Sequence, residues 1–190
     1  MDRILVVSSN EKAAAQIVLQ LKELYPGARF AMAQTGADAR RVSGAGDFDC
    51  VVINCPLSDE YGSGLAEMVT AGSAAGCVML VKNEYADQTA EKAENFGAMV
   101  ISKPINKQLF FRAMHFVAAA RNRMLGIQSE NLKLNKKLEE IRLINRAKFA
   151  LMQYLGFSEQ QAHRYLEKQA MDLRESKTQI AEKVIRMYET

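Results

Sequence analysis

The sequence has little cysteine, histidine or proline: three, two and three residues among 190. Cys50, Cys55 and Cys77 have neither C-x-x-C spacing nor a partnering histidine. Their odd count fits no disulfide framework, so they read as buried thiols in a reducing cytoplasm. No run of 18 apolar residues occurs, and the start of the chain lacks a basic segment followed by an apolar block. Membrane insertion and export are therefore not expected, and the expected location is cytoplasmic. There is no glycine-rich phosphate loop, no cluster of metal ligands and no nucleophile beside a base, so the sequence predicts no enzyme, no cofactor and no metal site.

What is present suits a packed core. Hydrophobic residues make up 48% and charged residues 25%, which excludes the disordered and collagenous classes. The formal net charge of +3 is too mild to suggest a nucleic-acid partner. Its distribution is more informative. Residues 1–118 hold 11 basic and 13 acidic side chains, whereas residues 119–190 hold 14 and 9, so the tail carries +5.

The first part alternates short apolar runs with helical patterns. The runs Arg3–Val7, Ala28–Ala33, Cys50–Ile53, Cys77–Val81 and Ala98–Ile101 alternate with helical stretches over Glu11–Leu24, Thr35–Val42, Gly64–Ala71 and Tyr85–Phe96. Runs that are apolar throughout belong to strands buried on both faces, as in a parallel sheet covered by helices. The pattern predicts an α/β domain over residues 1–118, a (βα)5 doubly wound parallel sheet whose function concentrates at the carboxyl ends of its strands. Those ends are Ser8-Ser9-Asn10, Asn54-Cys55-Pro56, Lys82-Asn83 and Ser102-Lys103-Pro104.

After Pro104 no proline follows in 86 residues and only Gly126 and Gly156 interrupt, so this stretch reads as almost all helix. Val117, Ala120, Met124, Ile127, Asn131, Leu134, Leu138 and Ile141 keep the 3,4 spacing of a heptad seam. With Val117 at position a, Asn131 also falls at a, where a single asparagine sets the register of a parallel pair. A helix from Asn106 to about Asn145 would be about 60 Å long, which favours a homodimeric coiled coil, with 119–143 as linker, over packing on the first domain. Two S-x-x-Q capping boxes, Ser158-Glu159-Gln160-Gln161 and Ser176-Lys177-Thr178-Gln179, start two further helices, 159–173 and 177–188. Ala162, Leu166, Ala170 and Leu173, then Ile180, Val184 and Met187, line their apolar faces. With Ile144, Ala147, Leu151 and Leu155 they make a three-helix bundle within 130–190.

The strand RILVV, the strand CVVIN followed by Pro56, and the Ser102-Lys103-Pro104 turn resemble a response-regulator receiver domain, which has a flavodoxin-like fold. The tail resembles the ANTAR output domain through A-K-x-x-L-M, L-G-x-S-x-x-x-A, A-M-D-x-R and I-A-x-x-V-I in register. That resemblance implies binding of stem-loop RNA in nascent leader transcripts by a homodimer, and prevention of transcription termination.

The receiver-like part departs from its family where that family does chemistry. Ser8 and Ser9 stand for the acidic pair that holds Mg²⁺, and Asn10 for a third acid. The phosphoryl acceptor falls at Asn54 counted from Asp49, or at Val52 counted back from Pro56; neither is a carboxylate. Val81 leaves no switch hydroxyl at the end of the fourth strand. Lys103 thereby loses its anionic partner, and either donates to Asn54 or a strand carbonyl or faces a pocket open to an anion or partner protein. Asp59 and Glu60, in the following loop, are candidates to restore negative charge. The sequence therefore predicts a pseudo-receiver controlled by a partner or ligand rather than by phosphorylation.

RNA recognition needs cations for phosphates and flat groups on which bases stack. The candidates are Arg146, Lys148, Arg164, Tyr165, Lys168, Arg174 and Lys177, with His163 or Tyr165 as the stacking group. Two other readings stand beside this one: a DNA-binding response regulator with a terminal helix-turn-helix, and a scaffold that binds only proteins.

Overall fold

The computed structural model describes residues 1–44 and 47–188, in two compact units, Met1–Gly126 and Ile127–Thr190. In the first unit the strands β1 (Arg3–Val7), β2 (Arg29–Ala33), β3 (Cys50–Asn54), β4 (Gly76–Lys82) and β5 (Met99–Lys103) form one parallel sheet of order β2-β1-β3-β4-β5. The helices between them are α1 (Glu11–Leu24), α2 (Gly36–Gly44), α3 (Ser63–Gly72) and α4 (Ala86–Glu94), the last preceded by a 3-10 turn at Asn83–Tyr85. Successive strand residues point to opposite faces, so the unbroken apolar runs feed two cores. Leu5, Val51, Ile53 and Met79 pack with Leu65, Ala66 and Val69 of α3. Ile4, Val6, Val52 and Leu80 pack with Ile17 and Leu21 of α1.

The second core is completed by α5, a single helix from Lys107 to Leu155. Phe110, Ala113, Met114 and Val117 are its buried contribution. Val117 is therefore no seam residue: only 6% exposed, it lies over Gly76 of β4, where a Cβ would stand 2.1 Å from its Cγ1. One turn further on, Arg121 forms an ion pair with Asp49, which also accepts from the backbone N–H of Asp2 and of Arg3. These contacts keep α5 tied to the sheet beyond residue 118, and the unit ends at Gly126 rather than at 118.

In the second unit the last turns of α5 pack with α6 (Glu159–Leu173) and α7 (Lys177–Tyr188). Ala147, Ala150, Leu151, Ala162, Leu166, Ile180, Ala181 and Val184 form the core. Both capping boxes are made. Ser158 N–H donates to Gln161 Oε1 at 2.8 Å and Gln161 N–H to Ser158 Oγ at 3.3 Å, with the same exchange between Ser176 and Gln179 at 2.9 and 3.2 Å. Leu155, Leu173 and Met187 do not line the bundle. Each lies in the final turn of its helix and is exposed.

Two measurements check how α5 is held. Gly76→Ala is expected to cost about 1–3 kcal/mol in urea unfolding by forcing Val117 aside, and Val117→Ala in the same chain should recover part of the loss. Burial alone would raise the Asp49 carboxyl, but the Asp2 and Arg3 N–H groups and Arg121 outweigh it and hold the carboxyl below its ordinary 3.8. Its stabilisation is thus present above about pH 4 and lost as pH falls through the folded-state pKa. Asp49→Asn is expected to lower stability at pH 7 and flatten that acid-side loss.

Candidate functional site

At the carboxyl edge of the sheet, Ser8, Asn54 and Lys103 form one hydrogen-bonded chain. Lys103 Nζ donates to Asn54 Oδ1 at 2.8 Å and to the Cys55 carbonyl at 2.6 Å. Asn54 Nδ2 donates to Ser8 Oγ at 2.9 Å, and Ser8 Oγ donates onward to the Asn10 carbonyl at 3.0 Å. The amide of Asn54 serves as acceptor on one side and donor on the other, which an ionised carboxylate cannot do. Ser9 points elsewhere, its Oγ donating to the Gln34 carbonyl, and Asn10 caps α1 through Ala13 N–H. Val81 is buried in β4 opposite Ser102. Burial holds the Lys103 ammonium below the usual lysine range, and Lys82, its partner in the β4–β5 register, adds to the depression.

The loop acids do not restore the missing charge. Asp59 accepts from Gly36 N–H at 2.8 Å and Ala37 N–H at 3.0 Å and so caps α2, while Glu60 pairs with Arg40 at 2.8 Å. Thus no carboxylate joins the Lys103 chain among the described residues, and an amide cannot accept a phosphoryl group. The three thiols are buried; burial pushes those of Cys50 and Cys55 up to about 12, far from the thiolate form a nucleophile needs. No group of three or more His, Cys, Asp or Glu among the described residues could hold a metal ion.

In the second unit the candidate cations divide. Lys148 Nζ meets Glu159 Oε1 at 2.9 Å, and Lys177 Nζ meets Glu167 Oε1 at 2.5 Å, with His163 Nε2 3.2 Å from the same oxygen. These cations hold Glu159 and Glu167 below the usual carboxylate range. Arg164, Lys168 and Arg174 are exposed and form no ion pair among the described residues; Arg174 is the left-handed cap of α6. Arg146 is exposed on α5. Along the same helix Met124, and then Ile127, Asn131, Leu134, Leu138 and Ile141, are all exposed.

Residues 132–185 match the ANTAR domain family. This segment is an ANTAR domain. Over a longer stretch, the transcriptional regulatory protein PdtaR of Mycobacterium tuberculosis is 25% identical across 138 residues, 72% of this chain and 67% of that protein. The first unit has the fold of response-regulator receivers. A receiver domain protein from Clostridium thermocellum superimposes with a TM-score of 0.57 at 15% identity, over 66% of this chain and 99% of that one. A protein of a streptococcal redox-sensor family evolved from two-component response regulators gives 0.55 at 21% identity, over 68% of this chain and about half, 55%, of that one. The ANTAR domain therefore follows a receiver-type domain in one chain, and among the described residues no helix is long and apolar enough to cross a membrane.

Within the ANTAR domain, Tyr165 does not offer an open ring. It is half-buried at the margin of the core, edge-on to Phe157 with centroids 5.9 Å apart. Tyr154 is stacked on Tyr188 at 5.5 Å. The open aromatic is Phe149, 67% exposed, beside a pocket of about 230 Å³ lined by Asn145, Lys148, Phe149, Met152 and Glu159. The sequence reading passed over Phe149 and Asn145. A signal was available, because Phe149 is a large apolar residue lying off the core stripe that Ala147, Ala150 and Leu151 define.

Asn54→Leu is expected to remove one of the two donors to Ser8 Oγ, leaving the Asn10 N–H, and to leave Lys103 with one acceptor fewer. The cost should be about 1–3 kcal/mol, read as a lower urea midpoint at unchanged slope.

Proposed function

We propose that this chain is a transcription antitermination regulator that binds stem-loop RNA in nascent leader transcripts as a homodimer. Its receiver-type domain responds to a partner protein or ligand rather than to aspartyl phosphorylation. The observation that carries the reading is the ANTAR domain at 132–185 behind a receiver-type fold. Arg164, Lys168 and Arg174, which form no ion pair among the described residues, support a phosphate-binding role, since charge already neutralised by a neighbouring carboxylate displaces fewer counterions from RNA. The exposed apolar series from Ile127 to Ile141 supports the dimer: burying a side chain of that size is worth about 1.5–3 kcal/mol, which a second helix would supply. The carboxylate-free Ser8–Asn54–Lys103 chain supports the phosphorylation-independent reading, because neither an acceptor carboxylate nor acidic Mg²⁺ ligands are in it. Control would then be a shift between sequestered and dimeric populations, biased by whatever binds one of them better.

The deciding experiment compares a hairpin RNA, selected from a random pool, with the matching duplex DNA at one salt concentration. Preference for the hairpin is expected; preference for the duplex would reject the RNA reading in favour of a DNA-binding regulator. Changing Arg164, Lys168 and Arg174 together to alanine should weaken hairpin binding about tenfold or more and flatten the salt dependence by about two to three counterions. Unaltered binding would favour the protein scaffold. Incubation with acetyl phosphate and Mg²⁺ should give no phosphoryl adduct by intact mass, and a stoichiometric adduct would overturn the pseudo-receiver. Leu134→Glu with Leu138→Glu should convert a dimer to a monomer in sedimentation.

A further inference from the structure

The pocket beside Phe149 is built unlike a phosphate site. Asn145, Lys148, Phe149 and Met152 stand at i, i+3, i+4 and i+7 on one face of α5, and Glu159, the first residue of α6, forms the opposite wall. The only charges lining it, Lys148 and Glu159, are paired at 2.9 Å, so its floor is electrically neutral. Lys148 is held with its side chain only 15% exposed, which leaves little of the ammonium to meet a phosphate. What remains open is an apolar ring face, the Met152 thioether and a side-chain amide. At about 230 Å³ the pocket is below the roughly 300–1,000 Å³ of drug-sized ligand sites, a size suited to one flat heterocycle.

We infer that this pocket holds a single unstacked nucleobase of the bound RNA, its face on the Phe149 ring and its edge against the Asn145 amide. Unpaired loop bases are recognised by stacking on aromatic rings and by hydrogen bonds to their edges. An asparagine amide offers a donor and an acceptor side by side, the arrangement that reads a base edge. The division of labour follows: Arg164, Lys168 and Arg174 meet phosphates, and the α5 face meets a base. The inference rests on the RNA-binding reading above, and its test separates the two.

The full-length protein is titrated with a selected hairpin and with copies carrying an abasic nucleotide at each loop position in turn. Phe149→Ala, a change at an exposed side chain, is expected to weaken binding of the intact hairpin about ten- to hundred-fold at unchanged salt dependence. Phe149→Tyr should restore it. At one loop position the abasic change should weaken wild-type binding yet add nothing to Phe149→Ala, the non-additivity of two groups in contact. Asn145→Ala should narrow the difference among the four bases at that same position. If the hairpin binds and Phe149→Ala binds it as wild type does, or if every abasic change adds fully to that variant, the base pocket is wrong while the RNA reading stands. If wild type binds no hairpin, the RNA reading fails and takes the pocket with it.

Discussion

Everything in this chain depends on one helix belonging to two cores. The first turns of α5 supply Phe110, Met114 and Val117 to the sheet, and its last turns supply Ala147, Ala150 and Leu151 to the bundle. A helix has one apolar stripe to spend at any point along its length. Where α5 serves a core that stripe is buried, and between the two cores it is exposed. The residues from Ile127 to Ile141 are therefore apolar for a reason that neither core provides, and a second helix is the simplest surface able to cover a 3,4 stripe. The close approach of Val117 to Gly76 and the Asp49–Arg121 pair mark where the first use ends.

The receiver centre shows how a half-buried lysine is held where no carboxylate among the described residues meets it. An unpaired ammonium in the protein interior is costly, yet Lys103 is kept by two neutral acceptors, the Asn54 amide and the Cys55 carbonyl. Phosphorylation of a receiver needs an acceptor carboxylate and an acidic cluster to hold the Mg²⁺ that balances the incoming charge. Here the Lys103 ammonium is met by neutral acceptors alone, and among the described residues the chain it heads contains neither a carboxylate to be phosphorylated nor an acid to hold the metal.

The fold was legible because its signals are local. Five unbroken apolar runs separated by helical periods specify a parallel sheet, and S-x-x-Q before an apolar stripe specifies a helix start; both depend on neighbours a few residues away. The side-chain contacts that were not legible depend on partners distant in sequence. Val117 keeps heptad spacing with Ala120 and Met124, but Gly76, forty-one residues earlier, leaves the space that buries it. Asp59 and Glu60 sit in sequence beside the receiver centre, but in space they serve α2. Lys148 and Lys177 look like free cations until α6 brings Glu159 and Glu167 to them.

The same reasoning limits what net charge says about an RNA surface. The +5 tail contains both paired and unpaired cations among its described residues, so the total does not say which are which. On α6, Glu159, His163 and Glu167 lie at i, i+4 and i+8 and gather Lys148 and Lys177, whereas Arg164 and Lys168, one residue out of that phase, form no ion pair among the described residues although Asp172 follows at i+8. A one-residue offset on a helix turns a side chain by about 100°. That rotation separates a row whose carboxylates pair with Lys148 and Lys177 from a row that forms no ion pair among the described residues, and it leaves Phe149 beside the paired row.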